Sequence, residues 1–221
     1  QMAARKTNHV SALVSGDSWF AAQIVPLAFQ RYAGVAADTY QAYEYAVYGQ
    51  NKIDAQTTLF VLSSSGRPTT TWDALDRALA TPALTVGVSD KRYDGNPFIE
   101  KPPGALVPGA VKVGMPAQTT NVTAALLVKL AILLGRENGH LSAADAGKLL
   151  DELHSLPAKV EKVLKDAYAW AKPIAESLKG RRYYTFIGGG PSYAAAQNAS
   201  GMLAYVAHLP AMPLEGEEFH H

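Results

Sequence analysis

The sequence predicts an α/β protein whose parallel sheets are covered by helices. Short apolar runs alternate with helical patterns, as in doubly wound folds. Gly- and Ser-rich turns separate several of these runs from the helices that follow. One strand–turn–helix unit recurs late in the chain. With 221 residues, 48% of them hydrophobic, the chain is long enough to bury a sizeable core.

The first part of the chain contains four predicted strands with helices between them. The strands are residues 9–15, 59–62, 83–88 and a fourth within residues 105–115. A helix after Ser18 is expected to kink at Pro26 and to end at Gly34. A second helix spans about residues 68–80, with Pro68 in its first turn. A long apolar helix covers residues 119–135.

A stretch of different character follows and predicts three shorter helices. Ser142 and Asp145 resemble a capping box, and Ser155 with Pro157 resembles the start of another helix. The third helix is expected to end near Gly180. We therefore divide the chain into a first α/β subdomain (1–140), a helical connector (141–180) and the start of a second subdomain (181–221).

An internal duplication is predicted from "HVSALVSGDSWFAAQI" and "YYTFIGGGPSYAAAQN", which match at an offset of 174 residues without a gap. The simpler alternative is that two strand–turn–helix units share the same turn chemistry. The matched pairs are Gly16/Gly190, Ser18/Ser192, Trp19/Tyr193, Gln23/Gln197, Glu44/Glu218 and Tyr45/Phe219. The second copy stops at the counterpart of Val47, which predicts that further chain or a partner completes its sheet.

Six hydroxyl side chains lie within nine residues after the second predicted strand. They are Ser63, Ser64, Ser65, Thr69, Thr70 and Thr71. Ligands of doubly wound sheets bind beyond the carboxyl ends of the strands, where helix N-termini favour anions. Gly66 allows the backbone to approach a ligand closely. A phosphate site is predicted; a Ser/Thr-rich helix cap is the alternative.

Composition excludes several classes of site. The net charge is +1 and the basic residues are scattered, so no nucleic-acid partner is expected. The chain contains no cysteine, which excludes disulfides, thiolate metal sites and cysteine nucleophiles. The histidines show no metal-ligand spacing, and neither a metal nor a cofactor is expected. The run from Ala124 to Leu134 is too short to cross a membrane, so a cytoplasmic protein is expected.

Five segments together resemble the sugar isomerase (SIS) domain family. In chain order they are "VSGDSW", "VLSSSGRPTTTWDAL", "QTTNVT", "FIGGGPSYAAAQ" and "GEEFHH". The groups most similar to the chain are the isomerase half of glucosamine-6-phosphate synthase and the fructosamine-6-phosphate deglycases. The resemblance implies two SIS subdomains of flavodoxin-like type, the second incomplete in this chain. It also implies a homodimer whose site is shared between subunits.

The resemblance assigns substrate phosphate binding to the loop Ser63, Ser64, Ser65 and Gly66 and to Ser18. The last threonine of the family loop falls on Pro68, so Thr69 or Thr70 is expected to replace it. Asp17 stands where the family has threonine. A carboxylate there repels a phosphate unless its side chain turns away.

The resemblance also implies a catalytic pair. A family segment Gly-Glu-x-x-His ends in the histidine that opens the sugar ring, and "GEEFHH" matches it with Gly216, Glu217 or Glu218, and His221. The ungapped offset favours Glu218 and His221. The family's proton-transfer glutamate, sixteen residues earlier, falls on Tyr205, which is a poor base at its ordinary pKa.

Three functions remain open from the sequence. A glutamate of "GEEFHH" could act as the base of an aldose–ketose isomerase, or His221 could serve a deglycase. The protein could instead bind a sugar phosphate without converting it, as a sensor. A solvated tail is the remaining reading of "EEFHH".

Overall fold

The computed structural model describes residues 1–49, 52–91, 93–111, 114 and 117–221. The chain divides into two compact units, Gln1–Ser142 and Ala143–His221. Each unit is considered by itself below.

The described part of the first unit alternates strands and helices along the chain. The strands are β1 (His9–Val14), β2 (Ala36–Gln41), β3 (Thr57–Leu62), β4 (Leu84–Val88) and β5 (Gly104–Leu106). The helices are α1 (Asp17–Ala22), α2 (Ile24–Ala28), α3 (Ala42–Tyr48), α4 (Thr69–Leu79), α5 (Pro97–Glu100) and α6 (Ala117–Glu137), with a π-helical turn (Phe29–Ala33) after α2.

The five strands form one parallel sheet in the order β2-β1-β3-β4-β5. The predicted α/β class with a parallel sheet is thereby confirmed. β3 is buried along its whole length and β1 nearly so. Apolar side chains project from both faces of these two strands, as is typical of a sheet that helices cover on both sides. The chain passes to β2 on one side of β1 and to β3 on the other, so the strand order reverses between β1 and β3.

Two apolar clusters cover the two faces of the sheet. One contains Val10, Phe60 and Leu62 together with residues of α2, the π-helical turn and α6. The other contains Leu59 and Val61 together with residues of α3 and α4. Neighbouring residues of β3 thus enter opposite clusters, following the two-residue period of a strand. Each fully buried large side chain contributes about 1.5–3 kcal/mol of transfer free energy.

β2 is a strand that the sequence analysis did not predict. Its sequence, AADTYQ, has no continuous apolar run, because it lies at the edge of the sheet and is only half-buried. Polar contacts join it to β1. The carboxylate of Asp38 accepts a hydrogen bond from the Ser11 hydroxyl and lies 2.8 Å from His9 Nε2.

The helix predicted after Ser18 is broken into α1, α2 and the π-helical turn, near Pro26 as expected. Pro26 has no N–H to donate to the carbonyl of Ala22, four residues earlier. The hydroxyl of Thr39 donates to that carbonyl instead, at 3.0 Å. The predicted end at Gly34 is confirmed, since Gly34 has the left-handed conformation with φ +65°.

Two other predicted boundaries differ from the structure. Pro68 is the N-cap of α4, with extended backbone, rather than a residue of its first turn. The fourth predicted strand is limited to β5, and residues 112, 113 and 115 of that prediction lie outside the described residues.

Among the described residues, α6 is the helix whose length and apolar composition would allow it to cross a membrane. Several of its residues instead belong to the core of the first unit. Leu127, Ala131 and Leu134 are buried in the cluster that also contains Phe29. The apolar length of α6 therefore serves packing in this structure.

The second unit contains α7 (Ala143–Leu178), β6 (Tyr184–Gly188), α8 (Pro191–Ala207) and β7 (Ala211–Glu215). The prediction of three separate helices was wrong, because α7 is continuous through Pro157 and Pro173. A proline inside a helix leaves the carbonyl four residues earlier without its donor. α7 is largely exposed, so water can reach the freed carbonyls. Near Pro157, the Ser155 hydroxyl also donates to the carbonyl of Glu152 at 2.6 Å.

The backbone repeats at the predicted offset of 174 residues. α8 begins 174 residues after α1, and β6 pairs with β7 in parallel as β1 pairs with β2. The register is the same in both pairs, since Val10↔Ala37 becomes Tyr184↔Ala211. Gly16 and Gly190 also match in conformation, with φ/ψ of 62/−137° and 54/−127°.

The helix ends match as well. The N–H of Val35 donates to the Phe29 carbonyl at 3.4 Å, and that of Leu209 donates to the Leu203 carbonyl at the same distance. His208 has φ +54° at the position equivalent to Gly34. This agreement over strands, turns and helix ends supports a duplication over the alternative of shared turn chemistry.

We predict that His208→Gly stabilises the protein, because a side chain in the left-handed conformation costs about 1–2 kcal/mol relative to an unstrained backbone. Part of the gain is offset by the larger entropy of unfolded glycine, leaving about 0.5–1 kcal/mol. Urea unfolding followed by circular dichroism measures the change.

Gly34→Ala is the matched control and should destabilise the protein. It places a Cβ in the same left-handed backbone, 2.5 Å from His140 Nδ1. If His208→Gly is neutral or destabilising while Gly34→Ala is destabilising, the left-handed backbone does not have the same energetic cost at the two helix ends.

Candidate functional site

A polar pocket opens at the carboxyl ends of the central strands of the first unit, next to the point where the strand order reverses. Its cavity volume is about 100 Å³. The described residues that line it are Ser15, Asp17, Ser18, Leu62, Ser63, Ser64, Ser65, Pro68, Thr71, Asp90, Lys91, Ala110 and Thr119. Hydroxyl groups thus dominate its polar lining.

The loop after β3 is held rigidly at Gly66. The carbonyl of Gly66 accepts hydrogen bonds from Trp72 Nε1 and from the Tyr93 hydroxyl, both at 2.8 Å. Its backbone is left-handed, with φ +70°, and an added Cβ would lie 2.8 Å from Asn96 Oδ1. Glycine is therefore required here both by conformation and by space.

The serines of the loop are partly engaged by its own backbone. Ser63 Oγ accepts from the Gly66 N–H at 3.1 Å, and Ser65 Oγ accepts from the Arg67 N–H at 3.4 Å. Each bond uses a lone pair of the oxygen and leaves the hydroxyl proton available to a ligand. The loop thus orients donors before any ligand enters.

The turn after β1 brings a second set of hydroxyls to the pocket. Ser18 is 6% exposed and its Oγ lies 3.4 Å from Ser64 Oγ. Ser15 Oγ lies 2.7 Å from Thr71 Oγ1, which joins this turn to the first turn of α4. The structure therefore brings together the predicted residues Ser18, Ser63, Ser64 and Ser65.

The predicted threonines are placed differently. Thr69 is exposed and Thr70 half-buried, and neither is among the described lining residues. Thr71, buried and in the lining, was not selected by the sequence analysis. Helix spacing could have distinguished them, since a helix that starts at Thr69 turns its third residue by about 200° from its first.

Asp90 is a second residue that the sequence analysis missed. It follows β4 at the same edge of the sheet, so the position of strand ends could have identified it. The buried side chain of Asn96 fixes this segment by donating to Ser89 Oγ at 3.1 Å and to the Lys91 carbonyl at 2.6 Å. Burial raises the pKa of the Asp90 carboxyl above its usual value.

The predicted catalytic residues lie in the second unit. Glu218 and His221 follow β7 and are exposed. His221 Nε2 lies 3.8 Å from Glu217 Oε1, with the two side chains 76% and 77% exposed. Such an exposed pair contributes little energy.

His220 is a further candidate. Counted from Gly216, the spacing Gly-Glu-x-x-His ends on His220 rather than on His221. Its backbone N–H donates to the Glu217 carbonyl at 2.9 Å. Both histidines therefore remain candidates for a ring-opening group. Tyr205, at the position of the expected glutamate, lies on α8 and is 57% exposed.

The sequence is similar to curated bacterial enzymes. Over 98% of its length it is 27% identical to glutamine–fructose-6-phosphate aminotransferase (isomerizing) of Haemophilus influenzae. The matching enzyme of Symbiobacterium thermophilum is 28% identical over the same share. The chain spans about a third of these relatives, 35% in each case. No family model matches the sequence.

The chain is homologous to the sugar isomerase (SIS) part of these enzymes.

Solved structures agree on the SIS fold. The C-terminal domain of glucosamine–fructose-6-phosphate aminotransferase from Francisella tularensis superposes with a TM-score of 0.87 at 19% identity, over 100% of this chain and 62% of that one. Glucosamine-6-phosphate deaminase from Thermotoga maritima gives 0.72 at 15% identity, over 99% of this chain and 64% of that one. The resemblance seen in the five sequence segments is thereby confirmed.

We predict that replacing Ser63 and Ser65 together by alanine weakens the binding of a sugar phosphate. Hydrogen bonds to a charged group are worth about 1.5–3 kcal/mol each. Stability without ligand should change little, because the Gly66 N–H also donates to the Ser63 carbonyl at 3.2 Å. Titration calorimetry with fructose 6-phosphate and glucosamine 6-phosphate measures the loss.

Ser177→Ala provides the control, since Ser177 is an exposed serine of α7 that donates to the Ile174 carbonyl. It should leave affinity unchanged. Equal affinity of the double variant and the wild type would remove the phosphate role from these serines.

Proposed function

We propose that this chain binds a sugar phosphate in the hydroxyl-lined pocket and acts as a phosphosugar isomerase or deglycase. The observation that carries the proposal is the convergence of Ser18 and Ser63–Ser65 on one small cavity at the carboxyl ends of β1 and β3. The curated relatives are named as isomerizing aminotransferases of glutamine and fructose 6-phosphate. Their names support a sugar phosphate as the class of substrate. A cytoplasmic location is part of the proposal.

The pocket suits a phosphoryl group in size and in the type of its donors. The serines of the loop line one cavity, and the N-terminus of α4 adds a favourable dipole. The backbone amides of Gly66 and Arg67 are used within the loop, so the donors offered to a ligand are mainly hydroxyls. Such donors bind an anion with little fixed positive charge.

Catalysis needs a group that moves a proton between two adjacent carbons and a group that opens the sugar ring. We assign the proton transfer to Glu218, with Glu217 as its alternative, and the ring opening to His221 or His220. These residues are exposed in the second unit. A substrate or neighbouring chain that desolvates such a carboxylate raises its pKa toward neutral pH, which favours general-base catalysis.

A non-catalytic sugar-phosphate sensor is the second candidate. It is favoured by the segment Gly201–Leu209, which contains Tyr205 and no carboxylate. Turnover distinguishes the two functions. The chain is incubated with fructose 6-phosphate, glucosamine 6-phosphate or a fructosamine 6-phosphate, and products are followed by NMR. An enzyme converts one of them, whereas a sensor raises its melting temperature with the ligand and yields no product.

We predict that Glu218→Gln lowers the rate by about 10²–10⁴-fold if Glu218 is the base, since that is the usual contribution of a general base. Glutamine keeps the volume and removes the charge. Glu44 is the matched control, because it occupies the equivalent position of the first copy and is also exposed. Glu44→Gln should leave the rate nearly unchanged.

Loss of stability in both glutamate variants, with the rate intact, would assign Glu218 a structural role. The histidines are tested in the same assay. His221→Asn and His220→Asn are each compared on a ring-closed sugar and on an open-chain analogue. The variant that removes the ring-opening group should lose activity on the ring-closed sugar and keep activity on the open-chain analogue.

We also propose that the chain associates at least as a dimer. α7 carries exposed apolar side chains along much of its length, including Val163, Leu164 and Trp170, each at least 60% exposed. Large exposed apolar surfaces of this kind mark association sites. Light scattering at low micromolar concentration measures the mass, and a monomer there would contradict the proposal.

A further inference from the structure

The hydroxyl-lined pocket also contains two carboxylates, Asp17 and Asp90. Asp17 follows Gly16 at the start of α1, and Asp90 follows β4. Asp17 Oδ2 and both carboxylate oxygens of Asp90 are inaccessible to solvent, and none of the three forms a hydrogen bond of ordinary geometry with the described residues. Both lining residues thus contain carboxylate oxygens that are buried without a hydrogen-bond partner.

The charge of the pocket opposes a phosphate dianion. Among the described lining residues the ionisable groups are Asp17 from α1, and Asp90 with Lys91 after β4. The loop Ser63–Ser65 and the first turns of α4 and α6 contribute hydroxyls. These described groups, two carboxylates and one ammonium, sum to a negative charge, and a phosphate ester itself carries about −1.5 to −2 at pH 7.

On balance, the surroundings of Asp90 raise the pKa of its carboxyl. Burial raises the pKa of its carboxyl, and the charge of Asp17 adds to that effect. The Ser64 hydroxyl, the Ala110 N–H and Lys91 act in the opposite direction. A phosphate in the cavity would be a further anion, and it would raise the pKa of this carboxyl more.

We propose that a phosphate group enters this pocket together with one proton, which the Asp17–Asp90 pair and a phosphate oxygen share. The inference rests on the proposed binding of a sugar phosphate. The proton comes from solvent and forms an O–H bond on a carboxylate or phosphate oxygen, and no bond to carbon or phosphorus changes. Once protonated, a carboxyl donates a hydrogen bond to the phosphate where the ionised form repels it. The carboxyl pair thus donates a hydrogen bond only when it is protonated, whereas the serine hydroxyls can donate at any pH near neutral.

The sign of the pH dependence follows from this exchange. The complex holds a proton that the free pocket releases as the pH rises, so affinity is greatest at low pH. One linked proton lowers affinity by up to about tenfold per pH unit. A pocket with hydroxyls alone has the opposite dependence, because the dianion that it prefers forms above the second pKa of the ester, about 6.

The experiment is titration calorimetry of the whole chain with fructose 6-phosphate, repeated with glucosamine 6-phosphate, at about pH 5.5 and about pH 8, which bracket the second phosphate pKa near 6. At each pH the titration is run in two buffers with different ionisation enthalpies, and the difference in heat gives the protons taken up. At about pH 8 we expect uptake approaching one proton and weaker binding. At about pH 5.5 we expect smaller uptake, because the free ester already carries most of that proton.

Asp17→Asn and Asp90→Asn should each reduce the proton uptake. Each should also raise the affinity at about pH 8, by up to about tenfold for each pH unit over which the linked proton weakens binding to the wild type. Asp73→Asn is the matched control. Asp73 is an exposed carboxylate of α4 outside the described pocket lining, and its removal should change neither quantity. The wild-type proton count requires no variant, so misfolding of one substitution leaves the test intact.

Two failures are distinguishable. If a sugar phosphate binds without proton uptake and both pocket variants titrate like the wild type, the inference is overturned and the proposed function stands. If neither ester binds the folded wild type or the pocket variants at either pH, the proposed function is overturned and the inference with it.

Discussion

The parallel pairing of β1 with β3 is the constraint on which the rest of this molecule depends. Both strands are buried along almost their whole length, so a side chain that has to meet a ligand must follow the last paired residue. The chain leaves β1 and β3 toward opposite sides of the sheet. This divergence opens a gap at the strand ends, into which the turn after β1 and the loop after β3 both face. Ser18 and Ser63 meet there because of the topology, although 45 residues separate them in the sequence.

The sequence was sufficient to predict the sheet class and the hydroxyl loop, because both depend on strong local signals. Continuous apolar runs predicted β1, β3 and β4, and the serines after β3 lie where the strand-end rule puts them. β2 was missed because an edge strand lacks that signal and is fixed by contacts from Ser11 and His9 to Asp38. α7 was divided wrongly because an exposed helix tolerates proline where a buried one does not. Asp90 was missed although its position after β4 follows the same strand-end rule, since a single carboxylate in a loop gives no local signal.

The duplication shows which features of the unit are set by backbone geometry and which by side chains. Strand register, the glycine at the helix start and the left-handed helix end recur at the same offset in both copies. The residues around them differ, and His208 replaces Gly34 at a cost in backbone strain. At the positions of Ala42–Val47 in the first copy, the second copy has "GEEFHH". The same backbone unit therefore carries different polar side chains in the two copies.

A phosphate site built from hydroxyls differs from one built from lysine and arginine in what it can discriminate. Fixed cations attract every anion of sufficient charge, whereas hydroxyls contribute only where they are placed, and the bonds from Trp72 and Tyr93 to Gly66 hold the turn that carries the loop serines. With one ammonium among the described lining residues, the charge balance at the pocket is sensitive to any nearby carboxylate. Asp17 and Asp90 occupy that position, and Asn96 holds the segment of Asp90 from a fully buried site. Asn96 bonds to the residues on either side of Asp90 and so fixes the segment that carries this carboxylate beside the pocket. Under the proposed shared proton, the selection of a ligand and the exchange of a proton are physically the same event in this pocket.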